Sequence, residues 1–383
     1  MTRFERSISI NASADQVLRW HERPGAFERL APPWQRIHII SRHGTIHEGD
    51  QLVMEMRLGP LHRRWTALHH AVPGRTGFED EQVSGPFASW RHQHLIDPAG
   101  PRASILHDII DYRLPVAAIS EPLTGAIVER QLDRLFVYRH RTMLDDLASH
   151  SDYPPMRIVI AGASGFVGSH LVPFLTTGGH VVQQLVRRPA GPGEIQWDPA
   201  RGQLDGALLE GVDAVINLAG ENIATRWTQE TKEKILQSRI RSTTLLAGTL
   251  AGLSRKPATF LSVSAIGFYG DRKDQSVDES SPPGQGFLPE VTRAWERAAD
   301  EAEHAGIRVV HPRLGIILSP DGGALQKMLI PFRLGAGGRL GSGQQWMSWI
   351  ALDDVLGAIL HALTTPALAG PVNLTAPSPV TNA

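Results

Sequence analysis

The sequence predicts two domains of different class: an α+β domain over residues 1–151 and an α/β domain with a doubly wound parallel sheet over residues 152–383. Three observations carry this. A short apolar run, Arg157-Ile158-Val159-Ile160-Ala161, enters glycines at 162, 165 and 168 and then a helical pattern through Phe166, Val167, Leu171, Val172 and Leu175. The first part of the chain instead alternates apolar and polar residues with a period of two and closes on a long stretch of helical spacing. Between them lie polar residues and then Pro154-Pro155, which hold the chain out of helical space and read as a short, stiff linker.

Composition narrows the function classes. Hydrophobic residues make up 42% and charged residues 20% of the chain, as in a soluble globular protein with true cores. A formal net charge of −1 gives no electrostatic footprint for nucleic acid or an anionic membrane. The chain has no cysteine, which excludes disulfides, zinc–thiolate sites and cysteine nucleophiles. No signal-like segment opens the chain and no apolar run of about 18 residues interrupts it, so a cytoplasmic location is expected.

In the first domain, Phe4, Ile8 and Ile10 alternate with Glu5, Ser7 and Ser9 as on a half-buried strand. Asn11 to Asp15 read as a turn with a helix cap, followed by a short helix through Val17, Leu18 and Trp20. The period of two returns at Leu52, Met54 and Met56, at Trp65, and at Trp90, His92, His94 and Ile96. Val128, Leu132, Leu135, Phe136, Met143 and Leu147 then recur as one face of a long amphipathic helix. That order, together with Gly85-Pro86-Phe87-Ala88-Ser89-Trp90 and Asp108-Ile109-Ile110-Asp111-Tyr112, resembles the helix-grip fold of the START-like, polyketide-cyclase/SRPBCC superfamily. The resemblance implies a cavity between sheet and helix that takes a hydrophobic ligand, and brings no catalytic residue. His92 and His94 point to one strand face, and a third ligand such as His69 or His70 would complete a metal site. With 17 histidines in the chain, chance pairs are common, so cavity-lining or hydrogen-bonded histidines and no metal are expected.

In the second domain the glycine turn joins a buried strand to a helix N-terminus, with a further strand at Val181–Val186. Gly162 and Gly165 permit backbone angles closed to other residues and leave room for a diphosphate, which meets the exposed amides of Ser164, Gly165, Phe166 and Val167. Gly168 lets the helix pack closely on the sheet. Together these predict dinucleotide binding. The Val186 strand end carries Arg187 and Arg188 and no acid, which suits a 2′-phosphate; NADP(H) is therefore favoured over NAD(H), with Arg187 as the first partner and Arg188 the second, against the alternative of a solvated arginine pair. Val212 to Glu221 form another buried strand, whose end at Leu218, Ala219 and Gly220 passes beside the adenosine or ribose. Arg239 and Arg241, on the following helix, face either the cofactor or water.

Gly162-x-x-Gly165-x-x-Gly168, Asn217-Leu218-Ala219-Gly220, Ser262-Val263-Ser264, Phe268-Tyr269-Gly270, Pro312-Arg313-Leu314-Gly315 and Trp349-Ile350 before Asp353-Asp354 follow one another in a familiar order. Over residues 156 to 383 the chain resembles the extended and atypical short-chain dehydrogenase/reductase superfamily, in its epimerase-like (NAD-dependent epimerase/dehydratase) group. The resemblance implies a Rossmann domain with Ser262 and Arg313 at the cofactor and Ser264 orienting a substrate carbonyl or the nicotinamide amide. It also implies a longer C-terminal lobe than the residues after Thr375 provide. Catalytic relatives carry a Tyr and a Lys four residues apart on the helix after the serine strand, the lysine lowering the tyrosine's pKa. Val291 and Trp295 occupy those places here, and neither transfers a proton. Tyr269 either substitutes as acid/base or packs as a loop aromatic, and Glu296 stands near enough in sequence to approach the site. Two functions follow: an NADP(H)-dependent oxidoreductase or epimerase-like enzyme acting on a small molecule, or a non-catalytic NADP(H)-sensing or ligand-binding protein.

Overall fold

The structure, a computed structural model, describes residues 1–35, 37–58, 61–115 and 117–383. They divide into two units, residues 1–153 with the short segment 176–179, and residues 154–175 with 180–383.

The first unit runs β1 (Thr2–Ile10), α1 (Ala14–Glu22), α2 (Ala26–Leu30), β2 (Ile37–His43), β3 (Gln51–Leu58), β4 (Leu61–Ala71), β5 (Gly77–Ser84), β6 (Ser89–Gly100), β7 (Ala103–Arg113) and α3 (Ala117–Ser149). Its seven strands form one antiparallel sheet in the order β1-β7-β6-β5-β4-β3-β2. Alternation sets the register: Phe4 and Ile10 are buried on β1, and Leu106, Asp108, Ile110 and Tyr112 are buried on β7. A one-residue slip would turn each of these to the opposite face. Ser13 caps α1 reciprocally, its hydroxyl accepting from the Gln16 amide while the Gln16 side chain accepts from the Ser13 N–H. On α3 the buried residues Leu132, Phe136, His140 and Met143 recur at four, four and three, a single stripe. Phe136 packs with Trp65, Trp90 and Tyr112, and Met143 with Trp20 and Ile96.

The second unit continues with β8 (Arg157–Ala161), α4 (Phe166–Thr177), β9 (Val181–Val186), β10 (Glu194–Asp198), β11 (Gln203–Leu204), β12 (Ala214–Asn217), α5 (Gln229–Ala251), β13 (Thr259–Ser262) and β14 (Ser264–Ala265). It ends with α6 (Phe287–Arg297), α7 (Asp300–His304), β15 (Arg308–Leu314), β16 (Ile316–Ser319), α8 (Gly323–Arg333), β17 (Trp346–Met347), β18 (Trp349–Ala351), α9 (Leu352–Thr364), β19 (Gly370–Leu374) and β20 (Val380–Thr381). The central strands are parallel in the order β10-β9-β8-β12-β13-β15-β19. The chain thus steps outward from β8 in one direction, returns, and steps outward in the other, which is the doubly wound arrangement. Both faces are covered: Ile158 and Ile160 of β8 join a core with Leu171 and Leu356, while Val159 and Ala161 join one with Leu246 and Phe260.

The strand that carries Ser262 and Ser264 runs as two segments, β13 and β14. β13 pairs with Arg308–Val310 and β14 with Arg313–Leu314 in one register, and between them the Val263 N–H donates to Asn217 O at 3.1 Å. Among the described residues no helix is long and apolar enough to cross a membrane.

Candidate functional site

The carboxyl ends of the parallel strands line up two rows of residues. Ala161, Asn217 and Ser262 are register partners across β8, β12 and β13. Ser264, Arg313 and Asn373 are register partners across β14, β15 and β19. In open α/β sheets ligands bind in the crevice outside these ends, at the point where strand order reverses, here between β8 and β12.

At that point Gly162 has φ +81°, and a Cβ on it would fall 2.7 Å from the Leu218 carbonyl carbon. A Cβ on Gly168 would fall 2.4 Å from Gly162 O, so only glycine permits this approach of helix to strand. The turn is closed by Gly165 N–H donating to Gly162 O at 3.0 Å, and Ser164 and Gly165 are exposed at the start of α4. The Phe166 ring lies against Gly322 and Gly323, and His170 pairs with Asp321 at 2.8 Å, which fastens the first turns of α4 to the loop before α8. Asn217 is fully buried; its Nδ2 donates to Thr243 Oγ1 at 2.9 Å and its Oδ1 accepts from Ala219 N–H at 3.1 Å, directing Leu218, Ala219 and Gly220 past the turn. Ser262 Oγ is buried with no hydrogen-bond partner, at the end of the same row. A glycine cradle at a helix start with an unsatisfied hydroxyl beside it fits a nicotinamide dinucleotide.

The arginines of this region have different fates. Arg187 is exposed just past the end of β9, and among the described residues it makes no hydrogen bond or ion pair. Arg188 is engaged by Glu194 through two contacts of 2.6 and 2.5 Å, so its fork is already filled by a carboxylate. Arg239 turns inward: it lies against Gly220, donates to Glu221 O at 3.0 Å, and stands 4.9 Å over the Trp295 ring. Burial pushes it down to about 10, with Glu221 opposing.

Beside the cradle, α6 presents Val291 and Trp295 as buried core residues, as their types require. The next residue, Glu296, reaches the other way. Its Oε1 accepts from Ser264 Oγ at 2.6 Å and from Arg313 Nε at 2.9 Å, and its Oε2 accepts from Arg313 Nη2 at 2.9 Å. Arg313 Nη1 donates to Tyr269 Oη at 2.9 Å, and that hydroxyl donates to Asn373 Oδ1 at 2.7 Å. The Arg313 guanidinium also stands 3.5 Å over Phe268. Every nitrogen of Arg313 is thereby engaged within the cluster. Burial opposes its charge, but Glu296 and Tyr269 outweigh it and raise its pKa. The arrangement holds an arginine-paired carboxyl group against a serine hydroxyl at the sheet's carboxyl edge. Glu296, expected to approach the site, does so; Asn373 was the member the sequence did not single out, because β19 meets β15 only through the fold.

In the first unit, sheet and α3 enclose a cavity of about 400 Å³. Its walls include Leu52, Met54, Trp65 and Leu132, and its polar end holds Asp80, His92, His94 and Arg139. His92 Nδ1 lies 3.1 Å from Asp80 Oδ2 and its Nε2 lies 3.0 Å from Asp108 Oδ1. Burial opposes the charged ring, but these two carboxylates outweigh it and push His92 up to about 9. Neither His69 nor His70 joins the pair: His69 bonds Asp50 O, and His70 lies on the alternate face of β4 with Glu48.

Comparison with known proteins places both units. The NAD dependent epimerase/dehydratase family model matches residues 158–374, and that of polyketide cyclase/dehydrase and lipid transport proteins matches residues 10–136. A Mycobacterium bovis protein described as an epimerase family protein is 46% identical over 228 residues, covering 59% of this chain and 75% of its own length. The crystal structure of a nucleoside-diphosphate sugar epimerase from Corynebacterium glutamicum aligns with 99% of this chain and 80% of that one, at 34% identity and a TM-score of 0.82. Human epimerase family protein SDR39U1, crystallised with NADPH, aligns with 60% of this chain and 77% of that one, at 37% identity and a TM-score of 0.53.

Proposed function

Since the chain belongs to the NAD dependent epimerase/dehydratase family, we propose that it is an NADP(H)-dependent oxidoreductase or epimerase acting on a small molecule that carries a hydroxyl or carbonyl group. The observation that carries the proposal is the contact of 2.6 Å between Ser264 Oγ and Glu296 Oε1 at the carboxyl ends of the strands. The cofactor's diphosphate would rest on residues 162–167, its adenosine beside Leu218 to Gly220, and its 2′-phosphate on Arg187. Human SDR39U1 holding NADPH supports the choice of cofactor. When bound, the cofactor supplies or takes up the hydride.

The chain's own residues would handle the proton. Glu296, held in place by the two-point pair with Arg313, accepts from the Ser264 hydroxyl; Ser264 in turn hydrogen-bonds the reacting oxygen of the substrate. A proton leaving that oxygen passes to Glu296 through Ser264, and returns by the same route in the reverse direction. Tyr269 and Asn373 act at a distance, holding Arg313 in place. This carboxylate–serine pair would take over the proton handling that the resemblance gives to a tyrosine and a lysine, whose places Val291 and Trp295 occupy.

Purified protein should be tested with NADPH and NADP⁺ against nucleoside-diphosphate sugars, the class in the name of the C. glutamicum protein, and against simple carbonyl compounds. Ser264→Ala and Glu296→Gln should each lower turnover by about 10²–10⁴-fold while leaving cofactor affinity unchanged. Tight NADPH binding with no turnover across the panel would instead favour the sensing role, which the buried, proton-inert Val291 and Trp295 support.

A further inference from the structure

The polar end of the N-terminal cavity has the geometry of a metal centre. His92 and His94 stand two residues apart on β6, and Asp80 is the register partner of His92 on β5. Their side chains converge: Asp80 Oδ2 lies 3.1 Å from His92 Nδ1 and 3.5 Å from His94 Nε2, and the three donor atoms all fall within 4.8 Å of one another. Ligands at two corners of a tetrahedron, with bonds of about 2.0 Å, stand about 3.3 Å apart, between those two distances.

A second layer supports the first. The ring nitrogens facing away from Asp80 both approach one oxygen, Asp108 Oδ1: His92 Nε2 at 3.0 Å and His94 Nδ1 at 2.8 Å. The His94 nitrogen is buried and out of line for a hydrogen bond there. Asp108 is held from its other oxygen by His140 Nε2, at 2.6 Å, from α3. A carboxylate behind two ligating imidazoles is the arrangement that fixes their orientation and raises their basicity. Simple burial of a histidine does not call for it.

We propose that Asp80, His92 and His94 bind a divalent first-row transition-metal ion, positioned by Asp108 and His140, with the ion's open side toward the cavity. Two imidazoles and one carboxylate suit zinc, iron or cobalt better than magnesium or calcium, which prefer all-oxygen sets. Three protein ligands leave a position for an oxygen donor, so the cavity would take an apolar molecule bearing an enolate, carboxylate or phenolate at one end. Its apolar walls supply the rest of the contact.

The test is to strip the full chain with a chelator and titrate it with Zn²⁺ and with Co²⁺. One equivalent should bind per chain, Co²⁺ should show the visible absorption of a four- or five-coordinate N/O site, and the melting temperature should rise. Asp80→Ala and His94→Ala should each weaken binding at least a hundredfold, and His140→Gln about 10–100-fold. His70→Ala, on the alternate face of β4, should change nothing. Circular dichroism checks that each variant is folded; if the ligand variants are not, the wild-type titration and Co²⁺ spectrum decide. No bound ion, or binding that survives folded Asp80→Ala or is lost in His70→Ala, overturns the proposal and indicates surface histidines only. NADPH affinity in the same samples should be unaffected, so this result is independent of the C-terminal reading.

Discussion

The two polar clusters of this chain solve the problem of buried charge in different ways. In the C-terminal unit, Glu296 is matched by Arg313, a guanidinium that never loses its proton. In the N-terminal unit, Asp80 and Asp108 are matched by imidazoles, whose charge depends on pH and is given up on metal binding. The first cluster is therefore sensitive to substitution and little affected by pH near neutrality, whereas the second responds to both protons and cations.

Breaking the fixed pair should have the largest effect. Arg313→Met leaves Glu296 partly buried without its partner and should cost about 3–5 kcal/mol in urea denaturation, while Arg313→Met with Glu296→Leu recovers most of it. Equal losses in the single and double variants would mean the pair is not the source. Next comes the pH contrast. His21 lies at the N-terminal cavity, where burial, reinforced by His94, pushes it down to about 4 from 6.5. The unfolded chain therefore takes up this proton below pH 6.5 and the folded unit does not, so acidification from pH 6.5 to 4 should remove about 3 kcal/mol of stability. His21→Gln should flatten that slope, whereas His304→Gln, at an exposed site in α7, should leave it unchanged.

Smaller effects sharpen the comparison. Arg187→Ala should weaken NADPH about ten- to a hundredfold, in line with about 1.5–3 kcal/mol for a charged hydrogen bond, and leave NADH unchanged. Calorimetry with both cofactors checks this; an equal loss for both would remove Arg187 from the 2′-phosphate. The smallest is Ser13→Ala, which takes away one half of a reciprocal cap and should cost about 1 kcal/mol, read as a shift in the denaturation midpoint.

Both folds were legible because local patterns repeat the geometry that produces them. The glycine spacing after β8 marks a turn where Gly162 and Gly168 have no room for a Cβ, and the period of two on β6 put His92 and His94 on one face before any contact was known. What could not be read was the partner of each. His69 and His70 were nearest in kind, yet Asp80 completes the group because the β5–β6 register sets it opposite His92. Likewise Ser264 meets Arg313 because β14 keeps on β15 the register that β13 began.

By itself, the sequence determined the two-domain order, the dinucleotide cradle and the missing tyrosine–lysine pair, since each rests on residues close along the chain. Only the tertiary structure joined Ser264 to Glu296 and Arg313, and His92 to Asp80 and Asp108. Helix and strand periods say which way a side chain points. What it meets there depends on sheet order and register, which arise from burial summed over the whole unit.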